Sequence, residues 1–183
     1  MFEIWATAFG LLQSIFVLFN KRSNWVFYIL QMACLLVFSY TNRLYGDTIN
    51  SLLYVFFGIS GYILWNTKKE LKISVCNSKE RLIYGFLILI GTFLGALLLK
   101  KTNDPLPFLD SFTSISSLFA TYYMVVRKID TWFIWFVNDI FYVIEYVFLE
   151  KTAICLLSLN VLWTFLAVIS YVYWNKIMKG YAK

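Results

Sequence analysis

The sequence contains no histidine, and only 14% of its 183 residues are charged. The absence of histidine excludes Ser-His-Asp and Cys-His catalysis, histidine metal sites and histidine proton relays. The three cysteines, Cys34, Cys76 and Cys155, have no metal-binding spacing, so we interpret them as free thiols that serve as small apolar residues. No GxGxxG or Walker motif is present. We therefore expect neither enzyme activity nor a cofactor.

Apolar side chains take the place of the missing charge: 61% of the residues are hydrophobic and 21% are aromatic. A soluble domain of this length needs more charge to cover its surface, so the composition indicates a lipid environment. The apolar residues form long runs, and runs of roughly 17–20 residues fit transmembrane helices, whose backbone groups are bonded internally. The first run, Ile4 to Phe19, lacks the basic start and small-residue cleavage site of a signal peptide, so it is counted as a helix.

Polar breaks between the runs predict seven transmembrane helices, with ends placed to within about two to four residues. The predicted helices are 3–20, 24–41, 47–66, 81–99, 108–127, 131–149 and 152–175.

The basic residues divide unequally between the two sides of this arrangement. One side collects twelve of the 16, namely Lys21, Arg22, Lys68, Lys69, Lys72, Lys79, Arg81, Arg127, Lys128, Lys176, Lys179 and Lys183. The other side collects Arg43, Lys100, Lys101 and Lys151. Because basic residues favour the cytoplasmic side, we predict a cytoplasmic C-terminus and an external N-terminus, with the basic excess facing anionic lipid.

The two ends of the chain resemble each other, which indicates an internal repeat. At an offset of 107 positions, Trp25, Tyr28 and Gln31 align with Trp132, Trp135 and Asn138. At an offset of 109, Tyr54, Gly58, Gly61, Tyr62, Trp65 and Asn66 align with Trp163, Ala167, Ser170, Tyr171, Trp174 and Asn175.

The repeat predicts an all-α integral membrane fold of three plus one plus three helices. Residues 1–66 form the first three-helix bundle, 67–107 a cytoplasmic loop with a linker helix, and 108–183 the second bundle with a short cytoplasmic tail. Four helices separate equivalent positions, so the two bundles have the same orientation in the membrane. Transporters often bind their substrate where such repeats meet, near the membrane midplane.

Helix 6 has one aromatic and polar face. Within an arc of roughly 140° it places Trp132, Trp135, Asn138, Asp139, Tyr142, Glu145 and Tyr146, and the rest of the circle suits lipid. A charge at the centre of a membrane helix costs at least ~2.5 kcal/mol, so we interpret Asp139 as lining a cavity. Hydrogen bonding between helices and aromatic packing is the alternative explanation of this face, and Glu145, nearer the helix end, can simply be solvated.

Other helices add polar and aromatic side chains. Helix 3 contributes Asn50 and Tyr54, helix 7 contributes Asn160 and Trp163, and helix 5 stacks hydroxyls that can bond their own backbone. Trp65 and Trp174 lie near the predicted cytoplasmic interface, where they can act as gates or as membrane-interface anchors. Together these faces predict a narrow polar core with aromatic walls, which suits a planar heterocycle, and its carboxylates suit a positive charge on that ring.

Four ordered motifs resemble the PnuC family of bacterial vitamin-precursor transporters. They are Leu44-Tyr-Gly-Asp47, Gly61-Tyr-Ile-Leu-Trp65, Phe108-Leu-Asp-Ser111 and Trp132-Phe-Ile-Trp135-Phe-Val-Asn-Asp139. The resemblance implies a seven-helix fold in the bacterial cytoplasmic membrane, often a homotrimer, and facilitated diffusion of nicotinamide riboside. It also implies a cytoplasmic kinase that traps the product, and relatives that carry thiamine, riboflavin or deoxynucleosides.

In the nicotinamide riboside members, a WxxWxxxN motif in helix 6 belongs to the substrate site. Trp132 and Trp135 match it, the fourth element is Asp139 instead of asparagine, and Gln31 fits a family amide position in helix 2. The acid can favour a cationic ring, which nicotinamide riboside and thiamine both have. The predicted substrate residues are Trp132, Trp135, Asn138, Asp139, Tyr142, Gln31, Tyr54, Asn50, Asn160 and Trp163.

Our hypothesis is a passive nicotinamide riboside uniporter that rocks its two bundles around a midplane aromatic site. A carrier of thiamine, riboflavin or a deoxynucleoside on the same fold is the first alternative. A membrane enzyme or a non-transporting membrane subunit is the second.

Overall fold

The computed structural model describes residues 2–41, 45–68, 71–102, 104–148 and 154–180. These residues contain seven α-helices and no β-strand. The helices are α1 Phe2–Leu18, α2 Asn24–Thr41, α3 Tyr45–Thr67, α4 Ser78–Leu99, α5 Pro107–Val125, α6 Thr131–Phe148 and α7 Ile154–Met178. The predicted all-helical fold is confirmed, and each helix end lies within three residues of its predicted position.

Several helices have the length and composition of membrane spans. Within the described part of the chain, Thr48–Thr67, Ser78–Leu99 and Leu157–Met178 are long and apolar enough to cross a bilayer. Ile4–Leu18 and Asn24–Phe38 are shorter apolar helices. The chain therefore has the character of a multi-pass membrane protein.

The chain forms two compact units. Unit 1 comprises Met1–Ile73, Met124–Arg127 and Tyr173–Lys183, and unit 2 comprises Ser74–Tyr123 and Lys128–Val172. Unit 1 thus contains α1 to α3, and unit 2 contains α4, α6 and most of α5 and α7. The predicted division into three plus one plus three helices remains a prediction.

In unit 1, α2 packs against both α1 and α3. Glycines allow α3 to approach α2 closely: a Cβ atom on Gly61 would enter the ring of Trp25, and one on Gly58 would lie 2.8 Å from a side-chain carbon of Ile29. The Trp25 ring, fully buried, meets the ring of Trp65 edge-on at 5.4 Å. Small residues on α3 therefore make room for a tryptophan core.

In unit 2, α4 contacts α5 along a narrow strip. The Ser111 hydroxyl donates to the Thr92 carbonyl at 2.8 Å, and a Cβ atom on Gly95 would collide with the Ser111 hydroxyl. Most other α4 side chains are exposed, as is expected of a helix that faces lipid. Its first turn is closed by a capping box, in which the Asn77 side chain accepts from the Glu80 amide at 2.7 Å and Glu80 accepts from the Asn77 amide at 2.8 Å.

The turn between α1 and α2 and the turn between α5 and α6 have the same backbone pattern. Each contains a left-handed residue, Asn20 with φ 53 and Arg127 with φ 55, and these lie 107 positions apart. Four hydrogen bonds of 2.9 to 3.2 Å recur at that offset. In the first turn, the amide-to-carbonyl pairs are Asn20 to Val17, Lys21 to Phe16, Asn24 to Lys21 and Trp25 to Arg22. In the second turn, the corresponding pairs are Arg127 to Met124, Lys128 to Tyr123, Thr131 to Lys128 and Trp132 to Ile129. The local structure supports the proposed repeat.

Candidate functional site

Helix α6 divides into a buried polar side and an exposed apolar side. Trp132, Asn138 and Asp139 are buried, whereas Phe133 and Phe148 are 67% and 70% exposed. The polar face inferred from the helical period is therefore the side that faces the protein. One residue assigned to lipid was placed wrongly: the ring of Phe141 packs on Phe112 of α5, with centroids 4.5 Å apart.

The side-chain amide nitrogen of Asn138 links α6 to α5. Its Nδ2 donates to the Thr113 carbonyl and to the Ser116 hydroxyl, both at 3.0 Å. Its Oδ1 is buried and has no hydrogen-bond partner among the described residues. The sequence analysis did not identify Ser116. Its position three residues after Thr113, which places both on one face of α5, was the available signal. Asn138 is thus a structural link that retains one free acceptor.

Asp139 is the buried charge of this face. The residue is 2% exposed, and no ion pair or hydrogen bond from the described residues reaches its carboxylate. An uncompensated buried charge is costly, so such a group calls for a partner of positive charge or a role in function.

The aromatic residues of the face differ in burial. Trp132 is buried, whereas Trp135 and Tyr142 are half-buried. Among the described aromatic side chains, none stacks on Trp135, so its ring can take a flat ligand.

The hydroxyls of α5 mostly bond their own helix. Thr113 donates to the carbonyls of Leu109 and Asp110 at 3.0 Å, and Thr121 donates to the Ser117 carbonyl at 2.8 Å. Thr113 also lies 3.3 Å from Oε2 of Glu145, so this acid is not simply solvated. Hydrogen bonds to the backbone of α5 itself therefore account for these two hydroxyls.

Helix α7 brings two further predicted site residues into unit 2. Asn160 is buried, and its carbonyl accepts from the Thr164 hydroxyl at 2.8 Å. Trp163 is half-buried, and its buried indole N–H has no hydrogen-bond partner among the described residues. A buried donor of this kind requires explanation by water or a polar ligand.

The remaining predicted substrate residues belong to unit 1. Gln31 is buried with its amide against Gly10, where an added Cβ atom would lie 2.7 Å from Nε2. Tyr54 is half-buried and meets Tyr28 edge-on at 6.4 Å, and Asn50 is half-buried. Gln31 and Asn138, 107 positions apart, are thus both buried amides, and they pack on α1 and α5 respectively.

Trp65 and Trp174 are fully buried in unit 1. Their indole N–H groups donate to the carbonyls of Val125 and Val17 at 2.9 and 3.0 Å, and their rings lie 6.1 Å apart. Both rings are therefore part of the packing of unit 1. A gating role remains a prediction.

The sequence did not reveal a network around the turn between α5 and α6. Asp130 accepts from Arg81 Nε and from the Cys76 amide, both at 2.8 Å, and Lys128 pairs with Glu80 at 3.2 Å. Burial raises the pKa of the Cys76 thiol, which favours its protonated form. Among the described residues, no cluster of histidine, cysteine or acidic side chains could hold a metal.

The chain is similar to known transporters over nearly its whole length. A family model described as nicotinamide mononucleotide transporter matches residues 1–176. The nicotinamide riboside transporter PnuC of Neisseria mucosa is 26% identical over 191 residues, covering 97% of this chain and 73% of the relative. A crystal structure described as the vitamin B3 transporter PnuC matches with a TM-score of 0.79 and 26% identity, covering 97% of this chain and 82% of that chain. The chain therefore belongs to the nicotinamide mononucleotide transporter family.

Proposed function

We propose that this protein is a carrier for facilitated diffusion of nicotinamide riboside, with the buried face of α6 as its substrate site. The observation that carries the proposal is the Asp139 carboxylate, which is buried and receives no hydrogen bond or ion pair from the described residues. The nicotinamide ring of the riboside is cationic, so it would supply the missing countercharge.

The charges of the helices favour the riboside over the mononucleotide. Helices α5 and α6 contain Asp110, Asp139 and Glu145 but no lysine or arginine, and α7 contains only Lys176, in its last turn. A buried phosphate group needs basic side chains or helix N-termini as partners. The acids on α5 and α6 would instead repel it.

The other polar and aromatic groups suit the rest of the molecule. Trp135 would stack on the heterocycle beside Trp132 and Tyr142, and the free Oδ1 of Asn138 would accept from a ribose hydroxyl. The Trp163 indole N–H would donate to the substrate. The predicted roles of Gln31, Asn50, Tyr54 and Asn160 in binding are to be tested by substitution.

The transport cycle follows from the repeat. We infer that the two three-helix bundles rock and expose the aromatic site first to one side of the membrane and then to the other. The basic residues support an external N-terminus and a cytoplasmic C-terminus in the bacterial inner membrane. A kinase in the cytoplasm would phosphorylate the product and prevent its return, and the family resemblance favours a homotrimer.

Binding to the purified protein tests the substrate. Calorimetry with nicotinamide riboside, nicotinamide mononucleotide, thiamine and riboflavin should give its strongest signal with the riboside. Uptake into proteoliposomes should deliver the riboside unmodified, because a chemically altered product would indicate an enzyme. A preference for thiamine would reassign the substrate on the same fold, and uptake of none of the four would refute the carrier proposal.

A matched pair of variants tests the location of the site. Trp135→Ala should weaken riboside binding by at least about tenfold, equivalent to ~1.4 kcal/mol. Phe133→Ala lies on the exposed side of the same helix and should leave binding unchanged. Equal effects of the two substitutions would place the site elsewhere.

A further inference from the structure

The described charged side chains of unit 1 are all basic. They are Lys21, Arg22, Lys68, Lys72, Arg127, Lys176 and Lys179. In unit 2, by contrast, Arg81 pairs with Asp130 at 2.8 Å and Lys128 pairs with Glu80 at 3.2 Å. The sequence of unit 1 also contains the acids Glu3, Asp47 and Glu70, whose side chains lie outside the described part of the structure.

Two of these basic groups are gathered at the C-terminal end of α3. The Arg127 guanidinium lies over the Trp65 ring, 4.1 Å from its centroid, and its Nη1 donates to the Leu71 carbonyl. Arg22 Nη1 donates to Oδ1 of Asn66 at 3.4 Å. Trp65 and Asn66 lie in the last turn of α3, so both guanidiniums contact the C-terminal end of this helix.

Helix packing accounts for only part of this arrangement. The carbonyl end of a helix attracts cations, and an aromatic face stabilises a guanidinium. Neither effect explains why the Nε of Arg127 is buried with no hydrogen-bond partner among the described residues. Burial, and then the charge of Arg22, lower the pKa of Arg127 to about 10, so the two like charges are close enough to repel each other.

The turn itself does not require an arginine. Arg127 has φ 55, a left-handed conformation that costs a non-glycine residue ~1–2 kcal/mol. The equivalent residue Asn20 has φ 53, and asparagine tolerates this conformation better. Since the turn at Asn20 forms with asparagine, the backbone at position 127 does not require arginine. The contacts that depend on arginine are those of its guanidinium.

We propose that the guanidiniums of Arg22 and Arg127 form a binding site for a phosphate group at the C-terminal end of α3. The planar fork of a guanidinium matches the oxygens of a phosphate, and a bound anion would relieve the repulsion between the two cations. A phospholipid headgroup and a soluble phosphate present the same chemistry. The predicted cytoplasmic location favours the headgroup of an anionic lipid, since that leaflet is negatively charged.

Thermal unfolding of the purified full-length protein tests the site. One arm adds phosphatidylglycerol or phosphatidylcholine to the detergent micelles, and the other adds inorganic phosphate or chloride at equal ionic strength. We expect phosphatidylglycerol to raise the melting temperature more than phosphatidylcholine does. A similar rise with inorganic phosphate would identify a soluble phosphate as a ligand of the same site.

Three substitutions decide whether the two arginines are responsible. Arg22→Gln and Arg127→Gln should each lose more than half of the anion-dependent shift. Lys179→Gln removes an exposed charge of the same unit and should retain it. Arg22 is exposed, so its variant keeps the test valid even where Arg127→Gln folds poorly.

Three results would overturn the proposal. The first is a melting temperature that changes neither with phosphatidylglycerol nor with inorganic phosphate. The second is an equal loss in Lys179→Gln, which would mean a general charge effect. The third is a shift that appears only in Glu70→Gln, since an internal carboxylate would then be the partner of the guanidiniums.

Discussion

In the turn between α1 and α2 and the turn between α5 and α6, the chain makes the same backbone hydrogen bonds at positions 107 apart. The likeness extends to α3 and α7, where Trp65 and Trp174 each donate an indole N–H to the carbonyl of a residue near the C-terminal end of α5 or α1. Residues at these corresponding positions thus form similar turns and similar contacts near helix ends.

The side chains that follow the two turns differ in chemistry. Trp25, Tyr28, Gln31 and Met32 of α2 correspond to Trp132, Trp135, Asn138 and Asp139 of α6. In the α2 set, Trp25 fills the space over Gly61 and Tyr28 packs against Gly58. Only the α6 set contains an acid. The comparison teaches that similar turns can precede helices whose side chains differ in chemistry.

The largest expected effect separates Asp139 from its counterpart Met32. Asp139→Asn removes the charge that would pair with a cationic ring and should weaken riboside binding by about tenfold or more, measured by calorimetry. The melting temperature should stay or rise, because a buried uncompensated charge is removed. Met32→Leu conserves volume in the core and should leave binding unchanged.

A loss of stability in Asp139→Asn would contradict this comparison. It would show that the carboxylate is part of the fold and not reserved for a ligand.

An exchange between Gly61 and its counterpart Ser170 tests the packing difference. Gly61→Ser places a side chain in the Trp25 ring and should destabilise the protein by ~1–3 kcal/mol. Ser170→Gly creates no clash and should cost about 1 kcal/mol or less. Thermal unfolding measures both, with Gly85→Ala as the control, since no atom lies within 4 Å of an added Cβ there.

The helices could be predicted from the sequence because long apolar runs and polar breaks are local signals. The buried side of α6 followed from the helical period for the same reason. The partners of individual side chains did not follow: Phe141 packs on Phe112 although its angle on the helix suggests lipid. The helical period predicts the direction in which a side chain points, but it does not predict which side chains of the neighbouring helix will contact it.

The tryptophans of α3 and α7 show a second limit of the sequence. A tryptophan near a predicted membrane interface suits the headgroup region, yet Trp65 and Trp174 are fully buried. They contact parts of the chain that are distant in sequence: Arg127 lies over Trp65, and Trp174 donates to the Val17 carbonyl. The sequence likewise named candidate site residues but not their partners, and the hydrogen bond from Asn138 of α6 to Thr113 of α5 needed the structure.

A smaller effect should distinguish Trp65 from Trp174. Phenylalanine at either position removes an indole hydrogen bond worth ~1 kcal/mol. At Trp65 it also weakens the contact with the Arg127 guanidinium, so Trp65→Phe should be the more destabilising by about 0.5–1 kcal/mol. Thermal unfolding of the two variants at one lipid composition measures the difference. Equal melting temperatures would mean that the arginine contributes nothing to the stability of this cluster.

The smallest effect concerns Asp130 and its counterpart Ser23, 107 positions earlier. Asp130 receives hydrogen bonds from Arg81 and the Cys76 amide, which fastens the segment before α4 to the turn. Asp130→Asn keeps an acceptor but loses the charge, and partly exposed ion pairs contribute ~0.2–1 kcal/mol. The melting temperature should therefore fall slightly at low salt, and the difference from the unsubstituted protein should shrink at high salt because exposed charges are screened.

The control is Ser23→Ala, which should show no change at either salt concentration. A loss of stability in Asp130→Asn that does not depend on salt would mean that hydrogen-bond geometry, and not charge, holds the segment before α4.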